Sequence, residues 1–329
     1  MRLKRSDPAQ PGYTRRRYGK GFVYYNRRGR TLTDERIIKR IEALVIPPAW
    51  RDVWICPDPA GHIQAVGTDA AGRRQYLYHR VWRDRRDRRK FARVATVADR
   101  LAAVRRKVTQ DLSDKRLTRK RVLALAVRLI DQGLFRVGSD QYAAGDEPTY
   151  GIATLECRHV SAGRDTMRFR FCGKGGIEHD ISIRDPKAAV TVRALLRVRG
   201  PAERLLAYRS TSGMRPLHAS DINTYLAKAA GAPITAKDLR TWHATVRAAT
   251  ALSKAGRPSS ATHRRRVISQ VVKSVAEDLG NTPTIARASY VDPRVIEAYE
   301  QGITVDVPPA APTTGPAAER AVRTLLTQA

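Results

Sequence analysis

Met167-Arg168-Phe169-Arg170-Phe171-Cys172-Gly173-Lys174-Gly175-Gly176-Ile177-Glu178-His179-Asp180-Ile181-Ser182-Ile183 decides the architecture of the larger half of the chain. Residues 167–172 and 177–183 have strand composition, and Gly173-Lys174-Gly175-Gly176 between them is a turn. A third strand is expected over 149–158, with Ala162-Gly163-Arg164-Asp165 as the second turn. Everything around this three-stranded island has a helical period. Upstream, Leu101, Val104 and Val108 recur at helical spacing. Thr118 caps a helix whose stripe Val122, Leu125, Ala126, Leu129 and Ile130 ends at Gly133.

Downstream, the helices announce themselves by their ends. Asp185-Pro186 is an N-cap followed by proline, opening a helix toward Gly200. Thr235-Ala236-Lys237-Asp238 resembles a capping box and opens a helix to about Gly256. The next spans about 260–279 and stops at Gly280-Asn281. Thr282-Pro283 begins a short segment carrying Tyr290, and Asp292-Pro293 begins a helix ending near Gly302. Residues 305–316 are rich in Pro, Ala and Thr and are expected as a linker before a short Ala-rich helical piece.

The N-terminal part differs in kind. From 21 to about 78, Gly, Pro and Asp break the chain into runs such as Phe22-Val23-Tyr24-Tyr25, Val53-Trp54-Ile55-Cys56 and His62-Ile63-Gln64-Ala65-Val66, which are strand signals. One helix, about 34–44, precedes Pro47-Pro48. The expected fold class is therefore α+β. Its parts are a basic extension over 1–20, a small β-rich domain over 21–80, a basic hinge over 81–94, a mainly helical catalytic domain over 95–304 and a tail over 305–329.

Charge narrows the function. The 329 residues include 62 Lys and Arg against 31 Asp and Glu, a formal net charge of +31. So large a surplus repels itself and calls for a counter-charge, and nucleic acid is the abundant polyanion. No apolar run approaches the roughly 18 to 20 residues of a spanning helix, and the first residues lack an apolar signal core. A cytoplasmic, nucleoid-associated protein is expected, without a membrane partner. Cys56, Cys157 and Cys172 have neither metal-ligand spacing nor disulfide density.

The densest basic run contains Arg80, Arg83, Arg85, Arg86, Arg88, Arg89 and Lys90, just after Gln75-Tyr76-Leu77-Tyr78-His79. Gln75, Tyr76 and Tyr78 could meet bases and sugars while the cations bind phosphate. In an ordinary protein such a run is a solvated helix face or linker. Elsewhere, Arg136 follows Phe135 near Tyr142, Lys174 occupies its Gly-flanked turn, Arg240 lies near the start of a helix and Tyr290 lies near the C-terminus. Singly, each would pass as a surface residue. Their order, arginine, lysine on a turn, arginine, then tyrosine, is informative.

Leu134-Phe135-Arg136-Val137-Gly138 through Tyr142, Gly173-Lys174-Gly175, Lys237-Asp238-Leu239-Arg240-Thr241 and Ser289-Tyr290-Val291 together resemble the active-site blocks of type IB DNA topoisomerases, in their compact poxvirus-like bacterial branch. Gln75-Tyr76-Leu77-Tyr78 and Ile46-Pro47-Pro48-Ala49-Trp50 extend the resemblance upstream, so that it covers roughly 21–302. It implies a C-shaped clamp acting as a monomer on double-stranded DNA. It implies Tyr290 as the nucleophile, Arg136, Arg240 and Lys237 around the phosphate, and Lys174 as the acid. Asn281 stands where poxvirus and eukaryotic members place histidine. It can donate a hydrogen bond but carries no charge. No metal and no ATP are expected, because no carboxylate cluster or phosphate-cradling Gly-rich loop accompanies these blocks. Two other functions fit part of the pattern: a tyrosine recombinase or integrase, which usually has histidine where Lys237 stands, and a non-enzymatic basic DNA binder.

Overall fold

A computed structural model describes residues 1–144, 146–257, 260–308 and 312–328. The chain forms two compact units, Met1–Lys90 and Phe91–Ala329.

The first unit is an antiparallel five-stranded sheet in the order β2-β1-β3-β4-β5, made of β1 (Tyr13–Tyr18), β2 (Gly21–Tyr25), β3 (Arg51–Ile55), β4 (Ile63–Thr68) and β5 (Arg74–Tyr78). Helix α1 (Glu35–Glu42) starts where the Asp34 carboxylate accepts from the amides of Arg36 and Ile37. It contributes Ile41 to a small core with Ile46, Val53, Ile55 and Ala65.

The expected N-terminal extension over 1–20 is corrected here, because it contains β1, which pairs with both β2 and β3. Three consecutive arginines disguise the strand. Arg15 lays its guanidinium over the Phe22 ring at 4.0 Å and donates to the carbonyl of Ile46 at 3.0 Å, so it packs into the fold rather than into solvent.

Helix α2 (Arg80–Leu112) runs unbroken for 33 residues, so 81–94, expected as a hinge, is helical throughout. The run has no Gly or Pro, and Arg, Lys and Ala are good helix formers. Asp87 and Lys90 form an ion pair one turn apart at 3.2 Å.

The second unit buries its core on α3 (Arg119–Gly133), capped by Thr118. Helix α4 (Asp140–Ala143) follows, then the antiparallel island β6 (Val160–Ala162), β7 (Thr166–Gly173) and β8 (Ile177–Arg184). The first strand of the island is thus not at 149–158. That stretch is strand-like in composition, but its amides bond elsewhere: Tyr150 donates to Cys172, Ile152 to Arg136 and Ala153 to Val137. It then turns into a short 3₁₀ segment at Cys157–His159.

Helix α5 (Pro186–Leu196) leads to the hairpin β9 (Ala207–Ser210) and β10 (Gly213–Pro216) and to α6 (Ala219–Ala230). Helix α7 (Ala236–Lys254) is buried on nearly all sides, with Trp242 wholly inside. Helices α8 (Ala261–Leu279), α9 (Pro283–Ser289) and α10 (Pro293–Glu300) come next.

The expected tail over 305–329 also needs correcting. Val305 and Val307 are buried, and α11 (Pro316–Gln328) buries Ala318, Val322, Leu325 and Leu326 in the main core; residues 309–311 of the expected linker lie outside the described residues. Glu319 of α11 accepts from Arg105 at 2.8 Å, while Arg105 also donates to Asp131, which in turn bonds His243 at 2.8 Å. Thus one buried network ties α2, α3, α7 and α11. Burial raises the Asp131 carboxyl, but His243 and Arg105 outweigh it and hold that group well below the usual carboxylate range.

Candidate active site

The site is organised by the end of α8. Gly280 adopts φ 58°, the left-handed conformation that stops the helix and leaves its last carbonyls without intrahelical partners. Two arginines take them. Arg240 Nη2 donates to the Leu279 carbonyl at 3.0 Å. Arg136 Nη2 donates to the Gly280 carbonyl at 2.7 Å and to Asn281 Oδ1 at 2.6 Å. The negative end of the helix dipole thereby collects two cations.

Arg136 is fixed from its backbone as well. Ile152 and Ala153 donate to the carbonyls of Arg136 and Val137, both at 2.8 Å. This needs Gly138 and Gly151 in backbone contact: a Cβ on Gly151 would lie 2.5 Å from the Gly138 Cα. The buried connection over 149–158 is therefore the support of Arg136.

Arg240 reaches the site from α7, whose Thr235 and Asp238 form the capping box. Asp238 is occupied by that cap and by Arg93 at 3.7 Å, so it does not neutralise Lys237 or Arg240. Lys237, exposed in the first turn, and Arg240, at the start of the second, place cations at the positive end of the α7 dipole. That arrangement costs stability in the free protein and suits an anion. Arg240 is 3% exposed, its Nε has no hydrogen-bond partner among the described residues, and burial pulls its pKa below the ordinary value. Asn281 Nδ2 is likewise buried without a partner among the described residues.

Tyr290 caps the C-terminus of α9. The Arg240 guanidinium lies 5.5 Å from its ring centroid and the Lys237 ammonium 5.9 Å. Burial pushes the phenol pKa up, but Arg240, Lys237 and Arg136 together outweigh it, and the net direction is down. Thr245 Oγ1 donates to the Tyr290 carbonyl at 3.3 Å and accepts from the Asp292 amide at 3.1 Å. Asp292 is fully buried, caps α10 and pairs with Arg294 at 2.8 Å. The Thr245 hydroxyl also donates to the Thr241 carbonyl one turn back at 2.9 Å, a bond common to helical threonines, and no local sequence signal marks its partners some 45 residues away.

Five of the expected site residues, Arg136, Lys237, Arg240, Asn281 and Tyr290, thus meet around one spot. Lys174 does not touch them; it is exposed in the turn between β7 and β8, where Gly175 and Gly176 have φ 81° and 74°. Tyr142 is exposed on α4. Among the described residues, none of Arg136, Lys174, Lys237 and Arg240 is in an ion pair with a carboxylate, and no cluster of three or more His, Cys, Asp or Glu could hold a metal ion. No helix among them is long and apolar enough to cross a membrane.

In the first unit, β5 sorts the expected DNA-contacting residues by side. Gln75 and Leu77 share one face, and Gln75 donates to Asp69 at 2.9 Å; Tyr76 and Tyr78 share the other and stack at 6.1 Å. Arg74 lies 5.8 Å from the Tyr76 ring and Arg86 5.7 Å from the Tyr78 ring. Arg80, Arg83, Arg85, Arg88 and Arg89 are exposed, and Lys90 is half-buried.

The chain matches two family models: eukaryotic DNA topoisomerase I, catalytic core, over residues 79–305, and bacterial DNA topoisomerase IB, N-terminal domain, over residues 21–69. It is 29% identical over 297 residues to the DNA topoisomerase 1B of Acanthamoeba polyphaga mimivirus, covering 88% of each chain. It is 24% identical over 257 residues to the DNA topoisomerase I of monkeypox virus and to the DNA topoisomerase 1B of vaccinia virus (strain Copenhagen), covering 74% of each. With the catalytic-core match spanning residues 79–305, more than half of the chain, and the residues of four separate elements gathered on Tyr290, the chain belongs to the type IB DNA topoisomerases.

Proposed function

We propose that this enzyme relaxes supercoiled duplex DNA by cutting one strand through Tyr290, letting the free end swivel and resealing. The observation that carries the assignment of residues is the gathering of Arg136, Lys237 and Arg240 around Tyr290 with no carboxylate paired to them among the described residues. Such a set is destabilising unless an anion joins it, and a phosphodiester supplies that anion.

In cleavage, Tyr290 Oη attacks phosphorus, the phenolic proton passes to solvent, a P–Oη bond forms and the P–O5′ bond breaks. The flanking cations, by favouring the phenolate, lower the cost of the first step. The unpaired donors of Arg240 and Asn281 and the fork of Arg136 bind the non-bridging oxygens, whose charge grows in the crowded transition state. Lys174 Nζ gives its proton to O5′ as it leaves, delivered by the mobile geometry of a Gly-flanked turn. Resealing reverses each transfer, so the phosphotyrosyl ester conserves the bond energy and no ATP is consumed. The side-chain cations supply the electrostatics that a metal supplies in other phosphoryl-transfer enzymes. Tyr76 and Tyr78 with Arg74, Arg86 and the exposed arginines Arg80, Arg83, Arg85, Arg88 and Arg89 at the start of α2 hold the duplex. The protein acts as a monomer, in the cytoplasm on the nucleoid.

Supercoiled plasmid incubated in EDTA without ATP tests this directly. Wild type should relax it and leave a detergent-stable adduct at a 3′ end, and Tyr290→Phe should do neither. Supercoils left intact by wild type, or equal relaxation by the Phe variant, would refute the assignment. A need for two defined sites with exchanged products would point to recombination instead.

A further inference from the structure

His179 on β8 stands directly opposite Phe171 on β7, two residues before the glycine that precedes Lys174. Its ring stacks on Phe171 at 4.9 Å and 18°, and Phe171 stacks on Phe135 at 5.8 Å, next to Arg136. The remaining surfaces of the imidazole meet two glycines. A Cβ on Gly173 would lie 2.6 Å from its Cδ2 and Nε2, and a Cβ on Gly280 would lie 2.4 Å from its Cε1. Such a Cβ would clash with the ring, so the imidazole can sit here only because neither residue has a side chain. One ring therefore fills the space between the end of the hairpin and the stop of α8. The residue after Gly173 is Lys174, and the residue after Gly280 is Asn281.

We propose that His179 is a positioning residue: its ring sets the height of the Lys174 turn against the Gly280–Asn281 turn, and so places the proton donor over the phosphate clamp. This rests on Lys174 being the acid in cleavage. Burial, Arg136 and Arg240 all disfavour the imidazolium. The ring thus serves as an uncharged spacer, and shape rather than charge is what a substitution must preserve.

The test compares single-turnover cleavage of an ordinary duplex with one carrying sulfur in place of the 5′ bridging oxygen, a leaving group that needs no protonation. His179→Ala should slow the ordinary substrate by about 10²-fold, the size of a lost general acid. The sulfur-bridged substrate should be cut within about 3-fold of the wild-type rate, since binding and the arginine clamp are intact. His179→Phe, which keeps a flat ring, should recover much of the lost rate. Gly173→Ala pushes on the same ring from the hairpin side and should give the same sulfur-specific rescue, which provides the readout if His179→Ala does not fold. Equal slowing on both substrates, or no slowing on either, overturns the proposal. Absence of any adduct with wild type would instead refute Tyr290 chemistry as a whole, so the two failures are distinct.

Discussion

Arg240 should stabilise the reaction and destabilise the protein. In the free enzyme it is a cation 3% exposed, with Arg136 nearby, the α7 dipole opposing it, a hydrogen bond to the Leu279 carbonyl and an Nε without a partner among the described residues. A hydrogen bond from a charged group contributes about 1.5–3 kcal/mol. Desolvating the guanidinium costs several kcal/mol even after relaxation, and apolar replacements of buried charges are often neutral or stabilising by about 1–4 kcal/mol. Arg240→Met keeps the length and removes the charge, so it should raise the unfolding free energy by about 1–3 kcal/mol, or the melting temperature by about 2–4 °C for each kcal/mol in a unit of this size. The same change removes a donor aimed at developing negative charge, so the cleavage rate should fall by about 10²–10³-fold or more. Urea unfolding and single-turnover cleavage on the same preparation read the two effects. Loss of stability by more than about 1 kcal/mol would refute the idea of an unsatisfied cation, because Arg240 would then be a structural member of the core. An unchanged cleavage rate would remove it from the clamp.

Further perturbations separate the remaining roles. Lys237→Gln removes one of the cations that favour the Tyr290 phenolate, so the rise of the cleavage rate with pH, which tracks phenol ionisation, should move to higher pH; an unmoved profile would detach Lys237 from Tyr290. Asp131→Ala leaves His243 and Arg105 without their shared acceptor and should cost about 3–5 kcal/mol in denaturant unfolding. Because the folded pKa of Asp131 is depressed, its contribution is present above the unfolded carboxylate value near 3.9 and is lost only as pH falls toward the depressed one, so an acid titration of stability should be shallower in this variant. Gly138→Ala forces a side chain into φ 83° and against Gly151, and should slow cleavage while binding of DNA, measured by a mobility shift, is retained. Replacing Arg83 and Arg86 with Gln should reduce the slope of log affinity against log salt by about 0.9 for each phosphate contact removed; an unchanged slope would take the start of α2 off the duplex.

The sequence revealed what local chemistry decides. Thr118, Asp185, Thr235, Ser260, Thr282 and Asp292 each cap the helix that follows, and caps are read within four residues. What depends on distant partners stayed hidden. The arginines of β1 looked like a solvated tail because Phe22 and the Ile46 carbonyl that hold Arg15 are not its neighbours in sequence. Tyr150 and Ile152 looked like a strand because nothing local says that their amides serve Cys172 and Arg136. The hairpin of β9 and β10 and the helix α6 were not anticipated at all. At the site, residue types and order singled out Arg136, Lys174, Arg240 and Tyr290, and the resemblance added Lys237 and Asn281, but the contact between Arg136 and Asn281 spans 145 residues of sequence and is a product of the fold. His179 and Thr245 carry no motif, and only packing singles them out.

Thr245 gives the site a mechanical property as well. In the proposed reaction a strand is attached to Tyr290, and every turn of the swivelling duplex would apply torque and drag to that side chain. The backbone on which the strain falls is gripped on both sides of Val291 by one hydroxyl of α7, through the Tyr290 carbonyl and the Asp292 amide, and Asp292 is in turn clamped by Arg294. The pull is thus passed into the most deeply buried helix of the unit rather than into the short helix α9. An anchorage of this kind would keep the proposed ester in line while the DNA spins, so that the free 5′ end returns to a phosphorus that has not moved.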